Sequence, residues 1–239
     1  MRRIVLTLAL VLCLAGNAMA ENLLIASGAG YKKLVTDLAA AFQKESGIKP
    51  ELSFGNMGQV TSQAKAGGVI DVVIGEKGFL ESAGLSFAGS AEIGRGILVL
   101  AWPKGKTLTA ATDVAKPEIK RLAMPDPKKA IYGRAASQFL KSAGLTQKVA
   151  DKLLVVATVP QVTTYIVSGE VDAGFVNLTD VMGLGNSIGG FLKVDQSQYA
   201  PIVIVAETLS EAPNAATAKK FSAFLATPAA KAIAQKHGM

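Results

Sequence analysis

The stretch Leu23–Phe42, LLIASGAGYKKLVTDLAAAF, sets the architecture of the chain. Leu23-Leu-Ile25 is an apolar run of strand character, broken by Gly28 and Gly30. Tyr31, Leu34, Val35, Leu38 and Phe42 then recur at the spacing of one helix face. Strand, glycine turn and helix make the first half of a crossover unit. The turn also exposes a helix start, where backbone N–H groups lack partners and the helix dipole is positive. Two readings of it stay open: an anion nest, or glycines that serve only a tight strand–helix connection.

The same alternation runs on along the chain. Further strands are predicted at Pro50–Phe54, Asp71–Gly75, Gly96–Trp102, Arg121–Met124, Leu154–Ala157, Ala173–Val176 and Pro201–Ala206. Helices are predicted at Gly58–Ala66, Gly133–Ala143, Gln147–Leu153, Gln161–Val167, Ala215–Leu225 and Ala229–Gln235, with a short one ending at Ala83. Such alternation builds mostly parallel sheet, and the units are too many for one small sheet. Gly96–Trp102 and Pro201–Ala206 bracket the middle of the chain, so the expectation is two α/β lobes joined by two hinge crossings, near Trp102 and Pro201. Residues 21–102 and 203–239 would form the first lobe and residues 103–202 the second. A ligand would sit beyond the carboxyl ends of the strands, in the cleft between lobes.

Residues 1–20 read as an export signal: Arg2 and Arg3, the uncharged run Ile4–Ala15, then Ala18-Met-Ala20 ahead of Glu21. The single cysteine, Cys13, falls inside it, and Leu10-Val-Leu12 before it lacks the small residues of a lipidation site. The expectation is a soluble, exported monomer that uses neither disulfides nor thiol chemistry. The net charge is +7, and removing Arg2 and Arg3 leaves +5. Scattered lysines with few aromatics argue against nucleic acid, while a mild positive field suits small anions.

As a nucleotide fingerprint the opening turn is incomplete, because the third glycine of G-x-G-x-x-G would fall at Lys33. As an anion nest it has company. Phe54-Gly-Asn-Met-Gly-Gln59 again joins a strand to a helix through glycines, Gly55 and Gly58. Ile131-Tyr-Gly-Arg134 and Val159-Pro-Gln161 open two more helices, giving two donor-rich helix starts in each proposed lobe. Catalysis has little support. His237, the lone histidine, lies near the end of the chain and reads as solvated or facing a helix dipole, so no Cys-His or Ser-His pair is available. No His/Asp/Glu cluster has metal-ligand spacing, and no cofactor is expected. Asp71, Asp126, Asp172 and Asp180 fall near strand starts or turns, as capping residues do.

In this order the segments resemble the periplasmic molybdate-binding proteins of ABC importers, class II solute-binding proteins. The matching stretches are residues 23–75, "RGILVLAWPKG", "LAMPDPKKAIYGRAASQFLKSAG", "VPQVTTYIVSGEVDAGFV" and the tail "ATAKKFSAFLATPAAKAIAQKHGM". The resemblance implies a two-lobed fold, each lobe a mostly parallel sheet flanked by helices, that holds a bare tetrahedral oxyanion. It implies molybdate or tungstate as ligand and an inner-membrane ABC permease as partner. Alternatives are another small anion, such as sulfate, phosphate, chromate or a small carboxylate, or an exported enzyme on the same scaffold.

The resemblance also places the site. A family serine falls at Gly30, with Ser27 upstream, and a second falls at Met57, beside Asn56 and Gly58. Backbone amides are implied near Tyr132 and Gly133, and near Val159, with Gln161 following. A family tyrosine hydroxyl falls at Asn177. Three family hydroxyls are therefore replaced, and Asn56, Asn177, Tyr31 or Tyr132 are the candidate substitute donors. Each neutral donor contributes about 0.5–1.5 kcal/mol, so losing three without substitutes would weaken binding by orders of magnitude. Lys32, Lys33 and Arg134 lie beside the nests as possible charges.

Overall fold

The computed structural model describes residues 22–239; the export signal expected over residues 1–20 lies outside the described residues. Strand β1 (Leu24–Gly28) passes through one tight turn, Ala29–Tyr31, into helix α1 (Lys32–Ser46). The face of α1 that carries Leu34, Val35, Leu38 and Phe42 is buried, and Gly47 ends the helix at a left-handed φ of 76°. Then follow β2 (Glu51–Gly55), α2 (Met57–Ala66), β3 (Val72–Glu76), α3 (Lys77–Ser82), β4 (Phe87–Gly96) and β5 (Leu98–Trp102). The middle of the chain holds β6 (Leu122–Pro125), α4 (Ile131–Ser142), α5 (Thr146–Val149), β7 (Leu153–Val156), α6 (Val159–Ser168), β8 (Ala173–Asn177), α7 (Leu178–Val181) and β9 (Gly190–Lys193). Strand β10 (Ile202–Leu209) and helices α8 (Ala215–Leu225) and α9 (Pro228–Lys236) complete it.

The strands form two five-stranded sheets, ordered β2-β1-β3-β10-β4 and β7-β6-β8-β5-β9. The two orders are the same pattern used twice. In each, three strands pair in parallel, and the fourth, β10 or β5, runs antiparallel to both of its neighbours. Four of the five strands in each sheet thus point one way, although half of the ladders are antiparallel. β5 and β10 are the strands that cross between halves, and their apolar runs match burial on both faces.

The structure moves one expected boundary. Leu98–Trp102 belongs to the second sheet, so the first crossing falls at Ile97, between β4 and β5, and not near Trp102. A continuous apolar run announces a buried strand without saying which sheet will bury it. The second crossing lies beside Pro201, just ahead of β10. Strands β4 and β9 escaped the sequence because both are outermost in their sheets, partly exposed and interrupted or preceded by glycine.

The last two helices pack back onto the first sheet. Phe42 of α1 meets Phe221 and Phe224 of α8, with ring centroids 5.3 and 5.7 Å away. His237 is not a frayed, solvated end: its Nε2 lies 2.8 Å from Asp37 Oδ2 and its side chain is 13% exposed. It ties the end of α9 to α1, a contact between residues that sequence distance conceals.

Candidate functional site

Four segments converge on one cavity between the sheets: Gly28–Tyr31, Gly55–Met57, Ala130–Tyr132 and Thr158–Val159. Strand register brings them together. β1 pairs with β2 so that Gly28 lies beside Gly55, and β6 pairs with β7 so that Pro125 lies beside Val156. Each pair of parallel strands therefore delivers two adjacent helix starts from its carboxyl edge. The cavity encloses about 300 Å³ free of protein atoms, part of it open to solvent. A group of a few atoms fits there.

Side chains claim some of the helix-start amides and leave others free. At α2, Asn56 Oδ1 accepts from Gln59 N at 2.9 Å, while Gln59 Oε1 accepts from Asn56 N at 3.0 Å. At α6, Thr158 and Gln161 form the same reciprocal pair, and Pro160 has no N–H to offer. At α4 the capping position is Ala130, which has no side chain for the task, and Ala29–Tyr31 has no side-chain cap either. The first-turn amides of Gly30, Met57, Ile131, Tyr132 and Val159 thus have no side-chain partner. Backbone donors around an otherwise apolar wall suit a small anion.

Two phenols add to that wall. Tyr31 Oη and Tyr132 Oη are 2.7 Å apart, with one tyrosine from each half of the molecule. Both are buried, and burial pushes both hydroxyls well above their ordinary value of 10, so each stays protonated.

Among the described residues, no charged side chain lines the cavity. Arg134 pairs with Glu76 and lies 5.4 Å from the Phe79 ring, Lys32 Nζ lies 5.9 Å from the Phe54 ring, and Lys33 Nζ donates to the Asp180 carbonyl. Of the residues singled out from sequence, Gly30, Tyr31, Asn56, Met57, Tyr132 and Val159 are brought together at the cavity. Six others stand off it. Ser27 is buried within β1, and Gln161 is spent on capping. Gly58 N donates to Lys129 O at 3.1 Å. Gly133 packs on the backbone of Pro125 and Asp126, and Arg134 turns to Glu76. Asn177 Nδ2 donates to Gly30 O at 2.9 Å. Gly28, Ala29, Gly55 and Ile131, named from sequence only as parts of the helix-start nests, also line the cavity, with Ala130 and Thr158, which were not foreseen. The T-x-x-Q spacing of Thr158 and Gln161 was a legible capping signature, whereas nothing in sequence marks Ala130.

Residues 23–239 match the model of the bacterial extracellular solute-binding protein family. The chain belongs to that family. This solute-binding protein is 31% identical over 235 residues to the molybdate-binding protein ModA of Azotobacter vinelandii, covering 94% of this chain and 92% of the relative. It is 28% identical over 242 residues to ModA of Rhodobacter capsulatus, covering 97% and 93%. Among solved structures, the periplasmic molybdate-binding protein of Azotobacter vinelandii is similar with a TM-score of 0.83 at 25% identity, over 90% of this chain and 97% of that one. The sulfate-binding protein SubI of Mycobacterium tuberculosis shares the fold, with a TM-score of 0.75 at 15% identity over 91% and 85%. The two-lobed periplasmic-binding-protein fold expected from sequence is the fold found.

Proposed function

We propose that this chain is the periplasmic substrate-binding protein of an ABC importer, and that it captures a small tetrahedral oxyanion, molybdate or tungstate first, between its two lobes. One observation carries the reading: helix starts from both halves aim unclaimed backbone amides at a single cavity that has no charged side chain. An oxyanion there accepts hydrogen bonds whose donors are already fixed by the fold, and charge strengthens each bond. Among the described residues, the lining holds no acid, imidazole or thiol, which favours capture over catalysis. The named relatives support molybdate, the export signal read over residues 1–20 supports the periplasm, and the family supports delivery to a membrane permease. Capture shifts an open–closed equilibrium about the two crossings.

A second reading, the same fold with another small anion, rests on Met57 at the cavity and Asn177 off it. Neither places a hydroxyl where the family resemblance expects one. A thermal-shift panel on the mature chain separates the two. A ligand at 100 times its Kd stabilises by about 2.7 kcal/mol. Molybdate and tungstate should both raise the melting temperature. A shift with sulfate, phosphate or a small carboxylate alone would establish the second reading, and no shift with any anion would overturn both.

A further inference from the structure

The repeated sheet pattern extends to the helix starts around the cleft. Tyr31 precedes the first residue of α1 and Tyr132 is the second residue of α4, and a basic residue follows each two places later, Lys33 and Arg134. The two phenols meet over Gly96, where a β-carbon would collide with the Tyr132 hydroxyl and Ile202. Gly96 adjoins the first crossing and Ile202 the second, so this contact sits at the hinge.

From there each basic side chain reaches into the opposite half. Lys33 Nζ donates to the Asp180 carbonyl in α7 at 3.4 Å, passing over Gly183, where any side chain would block it. Arg134 pairs with Glu76 at the end of β3 and lies against Phe79. Glu76 ends the central strand of the first sheet and caps the short helix after it, whereas Asp180 lies within the short helix that follows the central strand of the second. Glu76 is fixed in advance by the amides of Gly78 and Phe79, at 2.9 and 2.8 Å. Opening the cleft would separate both pairs together, and neither cation lines the cavity.

We infer that Lys33 and Arg134 form a reciprocal clasp, two positioning residues that hold the closed lobes together and slow ligand release without touching the ligand. The inference rests on the capture reading above. Arg134 is the stronger half, because its carboxylate partner is already ordered and nearly buried, which limits both entropy loss and salt screening. Lys33 contributes less, as a cation on a main-chain oxygen near the end of a short helix.

Stopped-flow kinetics with sodium molybdate as the probe test this. Arg134→Met should raise the dissociation rate on the order of tenfold and leave association unchanged, with a smaller effect for Lys33→Met. Glu76→Gln removes the charge and keeps an acceptor oxygen for one of the two amides, Gly78 or Phe79, that the carboxylate now holds through Oε1 and Oε2. In that background Arg134→Met should add nothing further. Unchanged dissociation rates, or fully additive losses, would overturn the clasp. Should the unsubstituted chain bind no oxyanion, the capture reading fails and small-angle scattering of the ligand-free chain still decides the clasp. The Lys33→Met/Arg134→Met variant should then show a larger radius of gyration than the unsubstituted chain, and equal radii would overturn it.

Discussion

Asn177 donates its Nδ2 to the Gly30 carbonyl at 2.9 Å, joining the second sheet to the first beside the cavity, and leaves its own Oδ1 buried without a partner among the described residues. The Gly30 carbonyl fixes which way the amide faces, because turning it over would set two acceptors against each other. Asn177 therefore bonds protein to protein with one of its two Nδ2 hydrogens, and it stands outside the cavity lining.

The same geometry makes Gly30 a test position. A β-carbon there would lie 3.1 Å from Asn177 Oδ1 and 3.4 Å from Val159, close enough for a serine hydroxyl to satisfy the unpaired oxygen after a small shift. Gly30 does not need positive φ, so the backbone accepts serine. Gly30→Ser should stabilise the chain by about 1 kcal/mol, read from urea denaturation. Destabilisation by that amount or more would show that the site cannot relax.

Asn56 separates capping from ligand chemistry. Asn56→Ala removes the α2 cap and should cost about 1 kcal/mol of stability. Asn56→Asp keeps the cap but places a negative charge at the cavity wall. Like charges ~5 Å apart at an effective dielectric of ~20 repel by about 3 kcal/mol, so oxyanion affinity should fall roughly 100-fold with the melting temperature held. Calorimetry that finds equal affinity would remove Asn56 from the site.

Two glycines with crowded surroundings should respond differently to alanine. At Gly133 a β-carbon runs into the backbone of Pro125 and Asp126, which cannot move aside, so Gly133→Ala should cost about 3 kcal/mol. At Gly75 the first atom met is the terminal methyl of Met57, at 2.5 Å, and a thioether chain can swing away. Gly75→Ala should cost no more than about 1 kcal/mol, with chemical denaturation as the measure for both.

Two carboxylates should give opposite pH slopes. Burial pushes Asp172 up, but Lys106 and the amides of Arg121 and Lys120 outweigh it and leave its pKa below the ordinary 3.8. Its contribution is complete above 3.8 and is lost as pH falls through the lowered folded value. Asp180 is raised, chiefly by burial, against the opposing pull of Thr163 and Lys33. Its contribution is complete below 3.8 and is lost as pH rises through the raised folded value. Asp172→Asn should flatten the loss of stability in acid, whereas Asp180→Asn should gain on the unsubstituted chain as pH rises from about 4 to 7. Stability measured in urea across that range and below it checks both signs.

Much of the fold was legible because the signals for it are local. Leu34, Val35, Leu38 and Phe42 mark a helix face within a few turns, and Gly47 marks its end. The glycine turns at Gly28–Gly30 and Gly55–Gly58 announced helix starts next to strand ends, and the structure puts the start of each at the cavity. The capping boxes of Asn56 and Thr158 were equally local patterns. Edge strands β4 and β9 were not legible, since partly exposed strands carry little periodic signal.

Residue order alone settled the alternation of strands and helices, the family, and the four helix starts, because each depends on periodicity or turn chemistry within about a dozen residues. Tertiary structure decided that β5 joins the second sheet, that Arg134 spends its charge on Glu76, and that Tyr31 meets Tyr132 101 positions away. Those outcomes depend on which surfaces face each other after two crossings of the chain, and no local pattern encodes that. The same holds for Asn177: its type was readable, but its bond to a carbonyl 147 positions distant was not.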